Sequence, residues 1–99
     1  MNELEHELIS KCPINKGFKI IHDKFLENNF ELTRNEDRAL VYSNKNNQYD
    51  EFQIRVDMDQ IVLSIPIINS NYSFRSTHKN YWDASEFLQM HLENYIKNQ

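Results

Sequence analysis

Phe52-Gln53-Ile54-Arg55-Val56-Asp57-Met58, followed two residues later by Ile61-Val62-Leu63-Ser64-Ile65-Pro66-Ile67, is the stretch that decides the fold class. The apolar residues of the first run stand at even positions, and most of those of the second stand at odd ones. A two-residue turn at Asp59-Gln60 would pair Met58 with Ile61, Val56 with Leu63, Ile54 with Ile65 and Phe52 with Ile67. Side chains of a strand alternate between faces, so all four pairs fall on one face. The other face carries Gln53, Arg55, Asp57, Val62, Ser64 and Pro66. A one-residue slip would reverse both sets. The pattern predicts an antiparallel sheet with one buried face.

Phe30-Glu31-Leu32-Thr33-Arg34 and Arg38-Ala39-Leu40-Val41-Tyr42-Ser43 read as a second hairpin. A three-residue turn at Asn35-Glu36-Asp37 would set Leu32 beside Leu40 and Phe30 beside Tyr42. The segment from Asn44 to Asp50 is a polar loop with Tyr49 as its only large apolar residue. The segment from Asn69 to Tyr81 reads equally as a loop or, through Tyr72 and Phe74, as a short edge strand.

Helices flank these strands. Asn2 caps a short stretch to Lys11 that carries Leu4, Leu8 and Ile9. After Cys12, Pro13 fits a first helical position, and Ile14, Phe18, Ile21, His22, Phe25 and Leu26 form one face, with Ile20 pointing away. Gly17 weakens that helix by about 1 kcal/mol relative to Ala. At the other end, Asp83 as N-cap and Glu86 make a capping box, with Trp82 stapled to Phe87. Ala84, Phe87, Leu88, His91, Leu92 and Tyr95 share an arc of about 140°. Glu93 and Lys97 stand in the favourable i,i+4 order. The expected fold class is α+β: a four-stranded antiparallel meander with the N- and C-terminal helices packed on one face, in the order α-β-β-β-β-α. Residues 1–99 make one domain, with 1–12 as a short extra helix or a flexible arm.

Composition narrows the function classes. A net charge of -4 disfavours a protein built to grip nucleic-acid backbone, which needs clustered Lys and Arg. The lone Cys12 forms no internal disulfide, the acidic start lacks a signal-length apolar run, and Ile65-Pro66-Ile67-Ile68 is the longest apolar run. These features predict a cytoplasmic or otherwise intracellular protein, the host interior if the gene is viral, with no membrane partner. An excess of Phe, Tyr, Met, Ile, Asn and Lys over Gly, Ala, Arg and Pro suits an AT-rich genome, such as that of a phage, a large DNA virus or a low-GC bacterium. By this reading much of the Asn is compositional drift on the surface.

The chain has one glycine, so no nucleotide-binding or nucleophile-elbow loop is available. Acid pairs at Glu36-Asp37, Asp50-Glu51 and Asp57/Asp59 sit in or beside turns, where carboxylates are solvated. His22 and His91 fall within helical apolar arcs and read as packed imidazoles in preference to metal ligands, since zinc wants three or four ligands at known spacing. Cys12 reads as a small apolar residue. No metal, cofactor or enzymatic activity is expected. Residues 60–82 contain no acid, and Tyr72, Phe74, Arg75, His78, Lys79, Tyr81 and Trp82 interleave aromatic with basic or imidazole groups. With Arg55 on the outer sheet face, they form the expected partner surface, because Trp, Tyr and Arg dominate protein hot spots. The leading expectation is a small acidic binding module acting on a protein partner, as an adaptor, inhibitor, immunity or anti-defence protein. The alternatives are a single-stranded nucleic-acid binder using residues 72–82, and a small enzyme using His22 or His91. Val41 and Val62, if on neighbouring strands, would seed homodimerisation through the uncovered sheet face, and an edge strand offers a second route.

Overall fold

The computed structural model describes residues 15–36, 38–47 and 49–98. The expected helix from Asn2 to Lys11, Cys12, Pro13 and Ile14 lie outside them, as does the side chain of Phe18. The elements are α1 (Asn15–Glu27), β1 (Phe30–Glu36), β2 (Ala39–Asn44), β3 (Glu51–Asp57), β4 (Gln60–Pro66), β5 (Ser73–His78) and α2 (Tyr81–Lys97). The five strands form one antiparallel sheet in sequence order. The class is α+β as expected, but the sheet has five strands, not four. The stretch left open between loop and edge strand supplies β5, whose pairing with β4 runs from Pro66↔Ser73 to Ile61↔His78.

Both helices contribute to a single core with one sheet face. Ile21 and Phe25 of α1 and Ala84, Leu88, Leu92 and Tyr95 of α2 meet Phe30, Leu40, Tyr42, Phe52, Ile54, Ile61, Leu63 and Ile65. Among the described side chains, Ile21, Phe25, Ala84, Leu88, Leu92 and Tyr95 of the expected arcs are buried, Leu26 stays exposed, and Ile20 points outward as expected. Lys24 Nζ donates to Glu93 Oε1 at 2.7 Å, linking α1 to α2. Glu93 thus pairs between helices and not with Lys97.

The central hairpin sorts its faces as expected but sits two residues off the expected register. Val56 pairs with Ile61 and Ile54 with Leu63, around a turn at Met58-Asp59. A shift of two preserves the period-two sorting, so sequence alternation alone does not distinguish the registers. The shift leaves Met58 in the turn, 87% exposed. In the first hairpin Leu32 pairs with Tyr42, not Leu40, and Phe30 with Asn44, because only residues 37 and 38 separate the strands. The odd residue is absorbed by a bulge at Thr33, whose Oγ1 lies 2.7 Å from Ser43 Oγ.

With one glycine in the chain, the turns place other residues at positive φ: Asn29 (65°), Arg38 (70°), Met58 (55°) and Asn69 (61°). Asn tolerates this region because its side chain hydrogen-bonds locally. Asn80, not Asp83, caps α2, its Oδ1 accepting from Asp83 N–H at 2.8 Å. Part of the Asn excess therefore does structural work.

Met58 pays a Cβ clash of roughly 1–2 kcal/mol in its left-handed turn position, against a glycine entropy cost of about 0.5–1 kcal/mol. Met58→Gly should raise the melting temperature by a few degrees, whereas Gln60→Gly, in a regular strand, should lower it. A thermal melt in which both substitutions act with the same sign would contradict this assignment of the turn.

Candidate functional site

The sheet face opposite the helices is organised by rows of paired residues. One row runs Arg34–Val41–Gln53–Ser64–Arg75 across all five strands, and the next runs Glu36–Ala39–Arg55–Val62–Thr77. Arg55 and Arg75 are exposed on this face. Two strand spacings and a two-residue offset place their Cα atoms roughly 12 Å apart. Glu31 and Glu51 lie toward the end with the β2–β3 and β4–β5 loops, and Asp57 toward the opposite end. Val41 and Val62 do not stand on neighbouring strands as the dimer expectation required, because β3 with Gln53 and Arg55 lies between them.

At the loop end, Tyr49 and Tyr72 line an outer-face hollow of about 300 Å³ with Glu51, Gln53, Ser64, Asn71 and Ser73. Both rings are exposed. A larger polar cleft of about 830 Å³ lies beside it, lined among others by Asn44, Asp50, Asn69, Tyr72, Tyr95 and Asn98. Its floor is a buried network in which Tyr95 Oη donates to Asp50 Oδ2 and accepts from Asn44 Nδ2 at 3.2 Å. Asn44 Oδ1 in turn accepts from Asn46 N–H at 2.8 Å. The only signal for this network in the sequence is a Tyr at the end of an apolar helical arc, whose hydroxyl needs a partner.

The expected partner surface does not fold into one patch. β5 alternates, sending Arg75 to the outer face and Phe74, Ser76 and His78 to the helix side. Phe74 lies edge-on to Phe87 and His91, with centroids at 6.3 and 5.2 Å. His78 is buried at 6% exposure. Lys79 is exposed in the junction before α2, Tyr81 packs against the core, and Trp82 is exposed on the first turn of α2. Tyr72 and Arg75 reach the outer face, and Arg55 joins them there.

His78 is held at both ring nitrogens. Its Nδ1 lies 2.7 Å from Asp83 Oδ2 and its Nε2 2.7 Å from Ser76 Oγ. Asp83 therefore serves His78, and this explains why it is not the cap. Sequence reading missed this array because Ser76 and His78 become neighbours only through strand alternation.

His22 and His91 take packed positions. His22 Nδ1 lies 2.7 Å from Tyr42 Oη. His91 packs on Phe87 with centroids at 4.4 Å, and burial lowers its pKa below the ordinary histidine value. Among the described residues no cluster of three or more His, Cys, Asp or Glu is placed to hold a metal ion, and no helix is long and apolar enough to cross a membrane. No protein-family model matches the chain, and no curated protein or solved structure matches it significantly.

Tyr95→Phe leaves buried Asn44 and half-buried Asp50 each short of a partner and should cost about 1–3 kcal/mol in chemical denaturation; a loss near zero would mean that water replaces the hydroxyl. His91, with its pKa lowered on folding, stabilises fully above the unfolded histidine value and loses that contribution as pH falls through the folded one. An NMR titration should place its ring midpoint below that of free histidine, and Phe87→Ala should move it upward. An unmoved midpoint in the variant would disconnect the shift from this packing.

Proposed function

We propose that the chain is a binding module whose uncovered sheet face receives an acidic segment of a protein partner, with binding and not turnover as its main work. The observation that carries this reading is the exposure of Arg55 and Arg75 on two adjacent central rows of that face, flanked by Val62, Ser64 and Thr77, with Asp57 two residues from Arg55 along β3. Arg presents a rigid fork to carboxylates, so two exposed guanidinium groups near 12 Å apart suit an extended acidic strand or a carboxylate-lined surface. Five strands of six or seven residues present roughly 500 Å² on that face. This is below the typical 800 Å² per partner and fits a transient, salt-sensitive contact. A second copy docked through the same face would bring arginines toward arginines, which favours a foreign partner.

Tyr49 and Tyr72, exposed around their hollow, support a second reading in which single-stranded bases stack there and Arg75 meets a phosphate. Two neutralised phosphates give a salt slope of only about -1.4, so that binding would be weak.

An NMR titration separates the two. Polyglutamate should shift the amides of Arg55, Val62, Ser64 and Arg75, and Arg55→Glu with Arg75→Glu should weaken that binding at least about tenfold, the scale of a lost charge-assisted contact. A mixed-sequence single strand that binds more tightly, with shifts centred on Tyr49 and Tyr72, would transfer the site to nucleic acid. Absence of shifts on this face with either probe would remove it as the binding surface.

A further inference from the structure

We propose that Ser76 is a nucleophile, activated by His78 and oriented through Asp83, that accepts an acyl group from a small apolar ester. The two contacts have the atom order such a relay requires: serine oxygen to Nε2 at 2.7 Å and carboxylate to Nδ1 at 2.7 Å. An ionised carboxylate only accepts hydrogen bonds, so the proton on the neutral ring sits at Nδ1. Nε2 then holds a lone pair toward Ser76, whose hydroxyl donates to it. Burial of His78 and its contact with Phe87, at 4.8 Å between centroids, fix the ring against rotation.

The surroundings supply the remaining parts. β5 is an edge strand, and Ile67 N–H bonds Tyr72 O at 2.9 Å. Alternation from that bonded pair makes Phe74, Ser76 and His78 the residues that bond β4 and turns the N–H groups of Ser73, Arg75 and Thr77 to the open edge. Pro66, which has no N–H, pairs with Ser73 at a non-bonded position, as this alternation demands. The N–H of Thr77, directly after the serine, is therefore a donor available to a developing oxyanion at the edge. Ser76 is half-buried, and Phe74, on the same strand face, is 36% exposed. Phe74 and Phe87 offer apolar surface for the acyl chain.

In the reaction Ser76 Oγ attacks the ester carbonyl carbon, an Oγ–C bond forms, and the carbonyl π electrons move to oxygen while the hydroxyl proton passes to Nε2. The intermediate collapses, the C–O bond to the leaving alkoxide or phenolate breaks, and that group takes the proton from Nε2. Water, losing a proton to Nε2, then attacks the acyl-serine and releases the carboxylic acid. Ser76 recovers its proton from Nε2. No oxidant, metal or further reactant is required.

The inference is independent of the outer face, because Ser76 and Arg75 occupy opposite sides of β5. The full chain would be incubated with p-nitrophenyl acetate and followed by p-nitrophenolate release and peptide mass spectrometry. The expected result is an acetyl group on the peptide carrying Ser76 and a release rate at least about tenfold above that of folded Ser76→Ala, the low side of general-base catalysis. Asp83→Asn should slow acylation while its backbone N–H still serves the Asn80 cap. Acetylation confined to other residues of the wild type, or equal rates in the wild type and a folded Ser76→Ala, would reduce the array to a structural clamp between β5 and α2. The site of the acetyl mark is read on the wild type itself, so the test survives a variant that does not fold.

Discussion

The ring of Phe25 is the contact on which the rest of the molecule depends. It is fully buried, stacks on Tyr42 with centroids at 4.1 Å, and meets Phe30 and Phe52 edge-on at 5.2 and 5.1 Å. Phe30 and Phe52 in turn meet Tyr95 of α2 at 5.5 and 5.8 Å. Five rings thus join both helices to three strands. Each aromatic pair adds about 0.5–1.5 kcal/mol beyond the area it buries. In a domain of this size, with net stability on the order of 5–10 kcal/mol, such a knot decides where the helices sit. It also explains the location of the polar network. Tyr95 buries its ring in the knot and presents its hydroxyl to Asp50 and Asn44, so the knot and the cleft share one residue.

Both helices pack on one side of the sheet; on the other side Arg55 and Arg75 stand exposed while Val41 and Ser43 of β2 are buried, and the function proposed for the chain follows from that asymmetry. A strand covered on one face must alternate, and the outward set is selected for solubility and contact, not packing. Arg55 and Arg75 belong to that set. Their charge is local: the chain as a whole is acidic at -4, so an acidic partner is repelled at long range and attracted only at the correct face. Such an arrangement favours specificity over encounter rate, because net charge sets steering and the patch sets register.

How much of this was legible in the sequence depended on whether a signal was periodic or combinatorial. Period two in 52–67 and the helical arcs of Ile21/Phe25 and Leu88/Leu92/Tyr95 are self-contained patterns, and they delivered the sheet, its buried face and the helix faces. Register was not self-contained. A two-residue shift leaves every face assignment intact, so the choice between a Met58-Asp59 and an Asp59-Gln60 turn rested on whether a methionine can take positive φ. The bulge at Thr33 and the cap at Asn80 were lost for a related reason, since competing residues of the right type stood nearby and tertiary partners chose between them. Asp83 was a reasonable cap until His78 was packed against the same helix end.

β5 shows why the candidate site was the hardest part to read. Its residues look like one aromatic and basic cluster when written in a line, and a strand divides any line into two faces. Arg75 goes to the sheet surface; Phe74, Ser76 and His78 go beneath α2. The cluster seen in the linear sequence is thus divided between two proposed sites: one keeps Arg75 with Arg55 on the outer face, and the other joins Ser76 and His78 to Asp83 of the following helix, which the linear reading did not group with them. The edge position matters to both. An interior strand would have its outer neighbours paired and its N–H groups spent, whereas β5 keeps the donors of Ser73, Arg75 and Thr77 open along one border of the molecule. That open border is where a small substrate would meet Ser76 under the acyl-transfer proposal, and Arg75, charged and exposed beside it, is the kind of residue that keeps an open edge from pairing indiscriminately.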